Sequence, residues 1–185
     1  MGSAAEDQSQ VTVRLLKPRL SQSQGARIAG RARRSAGLGN GAADHSFAFG
    51  HAGLEYELAW LLWVHVSFRR LLLRPRETLV SVLVDARSGR AEECAIDSSL
   101  FAGEELGESV SPAAISEERA RDIGFRKVFD GVIMRNHTYW VPDVVLRDTW
   151  LLHVPSWVFD GKGDERVHVN ALTGAVRREV KECPS

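Results

Sequence analysis

The amino-acid sequence predicts an α+β chain of two pseudo-repeated units, each a helix packed on an antiparallel β-sheet. Two observations carry this prediction. A strand running into V-[D/N]-A-x-[S/T]-G occurs twice, ending at Val84-Asp85-Ala86-Arg87-Ser88-Gly89 and at Val169-Asn170-Ala171-Leu172-Thr173-Gly174. Upstream of each stands a serine-initiated helix start, Leu20-Ser21-Gln22-Ser23-Gln24 and Ile115-Ser116-Glu117-Glu118. A length of 185 residues with 44% apolar side chains allows a sizeable core. Two cysteines and no C-x-x-C exclude a disulfide-built scaffold and a zinc ribbon.

Taken in order, Met1 to Gln10 has neither a basic start nor an apolar stretch, so it reads as a disordered N-terminus without a secretory signal, and a cytoplasmic location is expected. Val11 to Leu16 alternates well enough for an N-terminal edge strand. Ser21 and Gln24 then form an S-x-x-Q capping box, the hydroxyl and the amide each satisfying one orphan N–H of the first turn. The first unit, 11–96, is expected to carry a Gly-rich insertion at 36–53. His65-Val66-Ser67-Phe68 reads as the counterpart of His153-Val154-Pro155-Ser156-Trp157, each on a strand with an aromatic near its end. In the two turns, Asp85 or Asn170 and Ser88 or Thr173 bond nearby backbone N–H groups, and the glycine supplies the positive φ. Residues 97–112, acidic and rich in Gly and Ser, read as a linker to the second unit, 113–182. Its helix begins at Ser116 with Glu117 and Glu118 near the positive helix end, can staple Ile115 to Ala120, and stops after Arg126-Lys127 at Asp130-Gly131.

At these residues the pattern resembles the PepSY family, whose unit is an I-S-x-E-x-A-type helix packed on antiparallel strands ending in V-x-V-D-A-x-T-G. The second copy matches better, through Ile115-Ser116-Glu117-Glu118-Arg119-Ala120 and Val167-His168-Val169-Asn170-Ala171-Leu172-Thr173-Gly174-Ala175-Val176. Val154-Pro155-Ser156-Trp157-Val158-Phe159 is similar to the P-x-W strand of some bacterial PepSY-like modules. The resemblance spans most of 112–182 and, more weakly, 11–94. It implies a protein-binding role, since the family includes inhibitory pro-segments of peptidases, and it carries no catalytic residues to transfer.

The balance of 24 basic and 24 acidic side chains hides a split: residues 8–76 hold 11 basic groups against 3 acids. The two halves can attract each other, or the basic half can meet an acidic partner. Within it, Arg27, Arg31 and Arg34 fall at i, i+4 and i+7 and form one stripe, opposite a thin apolar line of Ile28, Ala29 and Ala32. A solvated face explains the stripe, as does a surface for an acidic protein or nucleic acid. With Arg69 and Arg70 these are the candidate partner-binding residues. Trp60 and Trp63 point to opposite faces of their strand, and together with Trp140 they are candidate groove aromatics.

Signals for catalysis and cofactors are weak. Gly37-x-Gly39-x-x-Ala42 follows an Arg-rich helix instead of a strand, the wrong context for a dinucleotide site. Asp44-His45-Ser46 holds triad residue types, but chain neighbours cannot adopt triad geometry. The histidines His45, His51, His65, His137, His153 and His168 show no helical metal-ligand spacing, so no metal is expected. Cys94 and Cys183 follow the two turns at similar positions and are expected as free thiols in a reducing compartment. The longest apolar stretch, Ala59 to Val64, is far short of the roughly 20 residues that cross a bilayer. The expected function is therefore a non-enzymatic protein-interaction or regulatory module without cofactor, working through a groove or exposed sheet edge and able to self-associate there. A nucleic-acid-associated protein is the alternative, and an enzyme with a site assembled from scattered side chains stands third.

Overall fold

The computed structural model describes residues 12–35, 52–70, 73–106, 113–136, 141–161 and 165–180. Strand β1 (Thr12–Leu16) leads into helix α1 (Gln22–Ser35), followed by the long strand β2 (Ala52–Arg70), β3 (Leu73–Asp85) and the short β4 (Ala91–Glu93). A 3-10 turn (Ser98–Leu100), β5 (Phe101–Leu106), helix α2 (Glu117–Asn136), β6 (Asp143–Asp160), β7 (Glu165–Asn170) and β8 (Val176–Val180) complete the chain. The expectation of two helix-on-sheet units is overturned. The eight strands form one mostly antiparallel sheet, ordered β4-β3-β2-β6-β1-β5, with β7 on β6 and β8 on β7.

The spine of the sheet is the antiparallel pair β2–β6, in register from Ala52 opposite Phe159 to Ser67 opposite Asp143. This pairing places the two halves of the chain in a common layer, and the helices are exchanged accordingly. Helix α1 packs on β6, β7 and β8 of the second half, whereas α2 packs on β2, β3 and β4 of the first, and also on β6. Both lie on the same face. Even-numbered residues of β2, Leu62, Val64, Val66 and Phe68, join Val82, Val84, Ala120 and Val128 under α2, while Phe159, Val167 and Val169 meet Ala29 under α1. Period-two alternation sends the odd residues to the other face. There Ala59, Leu61, Leu83, Leu152 and Val154 pack against Leu16, Cys94 and Ile96. Because β4 and β5 are at opposite ends of the strand order, the segment joining them crosses this second face.

Local chemistry reads as the sequence suggests at the first helix start and at the two turns, whereas α2 runs through the expected stop at Asp130-Gly131 to Asn136, and β1 lies between β6 and β5 instead of at an edge. Gln24 Oε1 accepts from the Ser21 N–H at 2.8 Å, and Ser21 Oγ accepts from the Gln24 N–H at 3.3 Å. Asp85 Oδ1 accepts from the N–H groups of Arg87 and Ser88, and Asn170 Oδ1 from those of Leu172 and Thr173. Gly89 and Gly174 close these turns at φ 72° and 76°. Each turn is also tied to the entry of a helix: the Ile115 N–H donates to Ala86 O and the Leu20 N–H to Ala171 O, both at 2.8 Å.

Other expectations change with the fold. The stretch read as a linker holds a 3-10 turn and β5, which pairs antiparallel with β1. A weakly alternating run such as Phe101–Leu106 becomes a strand only because β1 offers it a partner. His65 and His153 are not counterparts, because they occupy opposite faces. His65 lies opposite Val145 and 3.5 Å from Glu77, whereas His153 pairs with Leu58 and has its Nε2 buried without a hydrogen-bond partner among the described residues. The Gly-rich stretch 36–51, Asp44-His45-Ser46 and Cys183 lie outside the described residues.

Candidate functional site

The sheet curls, and the place where the curl fails to close gathers a cluster of ionisable side chains around the buried His168 and Ser156. Strand β8 is three strands away from β2 in the order β2-β6-β7-β8, which in a flat sheet would be about 14 Å. Yet Arg177 on β8 reaches Glu57 on β2, its guanidinium bonding the carboxylate directly, and stands 3.5 Å from Asp85 at the end of β3. Arg87 of the β3–β4 turn pairs with Glu179 of β8 at 3.6 Å. Thr173 Oγ1 donates to Glu92 Oε2 at 2.8 Å. All these contacts run between side chains, and among the described residues β8 has no ladder partner other than β7. The result is a polar seam between β8 and the β2–β3 edge.

His168 lies under the seam. It is 5% exposed, on the same face as Arg177, with which it pairs in register. Its Nδ1 is 3.2 Å from Glu57 Oε1, while Nε2 is 3.3 Å from Glu179 Oε2 without the alignment of a hydrogen bond. Burial pushes the Glu57 carboxyl up, but the bond from His168 and the charge of Arg177 outweigh it and hold the group below its ordinary value. Ser156 Oγ donates to the other Glu57 oxygen at 3.2 Å. Glu57, Ser156, His168 and Arg177 line a cavity of about 60 Å³, and Glu57, Asp85 and Arg177 also border a larger groove of about 450 Å³ with Leu58, Ala86 and Ala114.

The groove opens on an unfinished strand. Pairing of β3 with β2 begins at Asp85 opposite Ala59, with one further bond at Leu58, so Ala52 to Glu57 pair with β6 alone among the described residues. The Ala86 N–H donates to Leu58 O, which fixes Leu58, and by alternation Tyr56 and Leu54, as the residues whose N–H and C=O point away from β6. The partner strand agrees: Pro155, opposite Tyr56, has its carbonyl turned outward to the Ala171 N–H at 2.8 Å. Tyr56 is 41% exposed.

The residues singled out from sequence fall elsewhere. Arg27, Arg31 and Arg34 are all exposed along the outer side of α1, while their neighbour Arg33 turns inward onto Glu165 at 2.9 Å. Arg69 is exposed near the far end of β2, a strand of 19 residues, so it forms no common patch with the stripe. The Arg70 backbone pairs with Leu73. Trp60 and Trp63 do occupy opposite faces, but neither lines the groove. Trp60 donates from Nε1 to Ile115 O at 2.9 Å, and Trp63 meets Trp150 edge to face at 6.3 Å. Trp140 lies outside the described residues. Sequence reasoning missed Glu57, His168 and Arg177. Their only signal is an ionisable residue inside an apolar strand, as in Val167-His168-Val169, and the contacting pair Glu57 and Arg177 is separated by 120 positions.

Comparison with known proteins returns no matching family model, no matching curated protein and no matching solved structure. No helix among the described residues is long and apolar enough to cross a membrane.

Proposed function

We propose that this chain is a non-enzymatic protein-interaction module, resident in the cytoplasm, that receives a segment of a partner chain at the open edge of β2. The observation that carries the reading is that, among the described residues, Ala52–Glu57 pair on one side only, and the stretch ends at a groove bordered by Glu57 and Leu58 beside a seam held by side chains. An unpaired strand edge offers main-chain donors and acceptors to an incoming strand, and the neighbouring groove can take its side chains. The turn and helix-start motifs that resemble PepSY support a binding role in the same direction.

A second reading, a nucleic-acid-associated protein, rests on the exposed stripe of Arg27, Arg31 and Arg34. One experiment separates the two: isolation of the chain with its partners from its native cells, with nuclease treatment, in three forms. Tyr56→Pro removes an outward N–H and leaves the β6 ladder intact, since proline is tolerated on strand edges. A protein partner that survives nuclease, is lost in Tyr56→Pro and persists in the triple Arg→Glu variant supports the edge. Retention in Tyr56→Pro with loss in the arginine variant rejects it.

A further inference from the structure

The edge of β2 differs from that of β3, another stretch paired on one side among the described residues. Strand β3 is paired by β4 at Val82, Leu83 and Val84, so among the described residues its earlier part also presents an open side. That stretch reads Arg74-Pro75-Arg76-Glu77, with a proline that cannot donate and charges that discourage an added strand. Ala52-Gly53-Leu54-Glu55-Tyr56-Glu57-Leu58 holds no proline and no basic residue. Alternation puts Leu54, Tyr56 and Leu58 on the helix-bearing face and Glu55 and Glu57 on the other. Glu55 is exposed, and Asp85 continues the acidic side at the groove.

We infer that the occupant of this edge is an extended segment in which apolar residues alternate with Lys or Arg. The inference rests on the strand-edge reading above and adds the chemistry of the partner. Paired residues of antiparallel strands share a face, so the row facing Glu55 and Glu57 favours cations, and the row facing Leu54 and Tyr56 favours apolar side chains. The same row argues against a second copy of this chain. An antiparallel self-pairing centred on Glu55 sets that glutamate against itself, and one centred on Tyr56 sets Glu55 against Glu57. Glu57 is already shared with Arg177 and His168, so Glu55 is the carboxylate left to read the partner.

The test uses two short synthetic peptides, one alternating valine with lysine and one alternating valine with glutamate, titrated into the whole chain and into Glu55→Lys. Binding is read by fluorescence anisotropy and by exchange of the Leu54 and Tyr56 amides. The lysine peptide should bind the parent chain at least about threefold more tightly, as expected of one favourable cross-strand charge pair set against one unfavourable pair. It should protect both amides and weaken with salt, and Glu55→Lys should reverse the preference. Equal binding of the two peptides, with both amides protected, would overturn the inference about the partner and leave the edge standing. No binding and no protection by either peptide would overturn both.

Discussion

Trp157 tests the exchange of helices between halves, because it is the side chain that fastens α1 to the second half of the chain. The indole lies on β6 and donates from Nε1 to Leu20 O at 2.7 Å, just ahead of α1. Its ring fills the space over Gly25, where an added Cβ would sit 3.0 Å from Trp157 Cδ1. Truncating a buried tryptophan to alanine costs about 3–5 kcal/mol. Trp157 is half-buried, so Trp157→Ala belongs near the lower end, about 3 kcal/mol. For a chain of this size that is a fall in Tm of roughly 6–12 °C. Trp157→Phe keeps most of the contact and removes only the donor to Leu20 O, for about 1 kcal/mol. Gly25→Ala should cost about 1–3 kcal/mol by overpacking, and much of that cost should vanish when Trp157 is already alanine, a coupling expected of residues in contact. Urea unfolding of the four proteins supplies the cycle. A near-neutral Trp157→Ala, or strictly additive costs, would refute the docking of α1 on β6.

Three further outcomes follow from named contacts. The folded-state carboxyl of Glu57 is held low, so its contribution to stability is present above the ordinary carboxylate range and is lost as pH falls through the folded value. Glu57→Gln should therefore flatten the acid limb of stability against pH, and unchanged acid limbs would contradict the seam. Gly124→Ala should cost about 1–3 kcal/mol, because its Cβ would sit 2.9 Å from Cδ2 of the fully buried Leu62. Gly30→Ala, with nothing among the described residues within 4 Å, should be neutral or stabilise α1 by up to about 1 kcal/mol, so similar effects at the two sites would count against the packing of α2. Cys94 is 7% exposed, with its thiol pushed by burial up to about 11. Peptide mapping after alkylation should show Cys94 protected in the native chain and labelled in urea.

Features set by neighbouring residues were legible in the sequence. Asp85 and Asn170 cap their turns within three positions, Gly89 and Gly174 take the positive φ, and Ser21 with Gln24 closes a capping box, so residue type and spacing suffice. Strand periodicity also placed Trp60 and Trp63 on opposite faces. Periodicity does not say which strand lies alongside, and the pairing of β2 with β6 is what turns two expected units into one sheet. Once that pairing forms, α1 finds its apolar floor at Phe159, Val167 and Val169 in place of its own following strands. The candidate site was hidden for the same reason. Glu57 in Leu54-Glu55-Tyr56-Glu57-Leu58 has the alternation of any half-exposed strand, and only the curl of the sheet brings His168 and Arg177 onto it.

The central claim is that the first part of β2 offers an unpaired edge, and residue-resolved amide exchange of the free protein tests it most directly. Along Ala52–Leu58 protection should alternate, with Gly53, Glu55 and Glu57 protected by β6 and Leu54 and Tyr56 exchanging fast. Between Trp60 and Val66, where β3 and β6 flank the strand, neighbouring amides should all be slow. Protection of Leu54 and Tyr56 equal to that of their neighbours would show that the edge is already filled and would contradict the account.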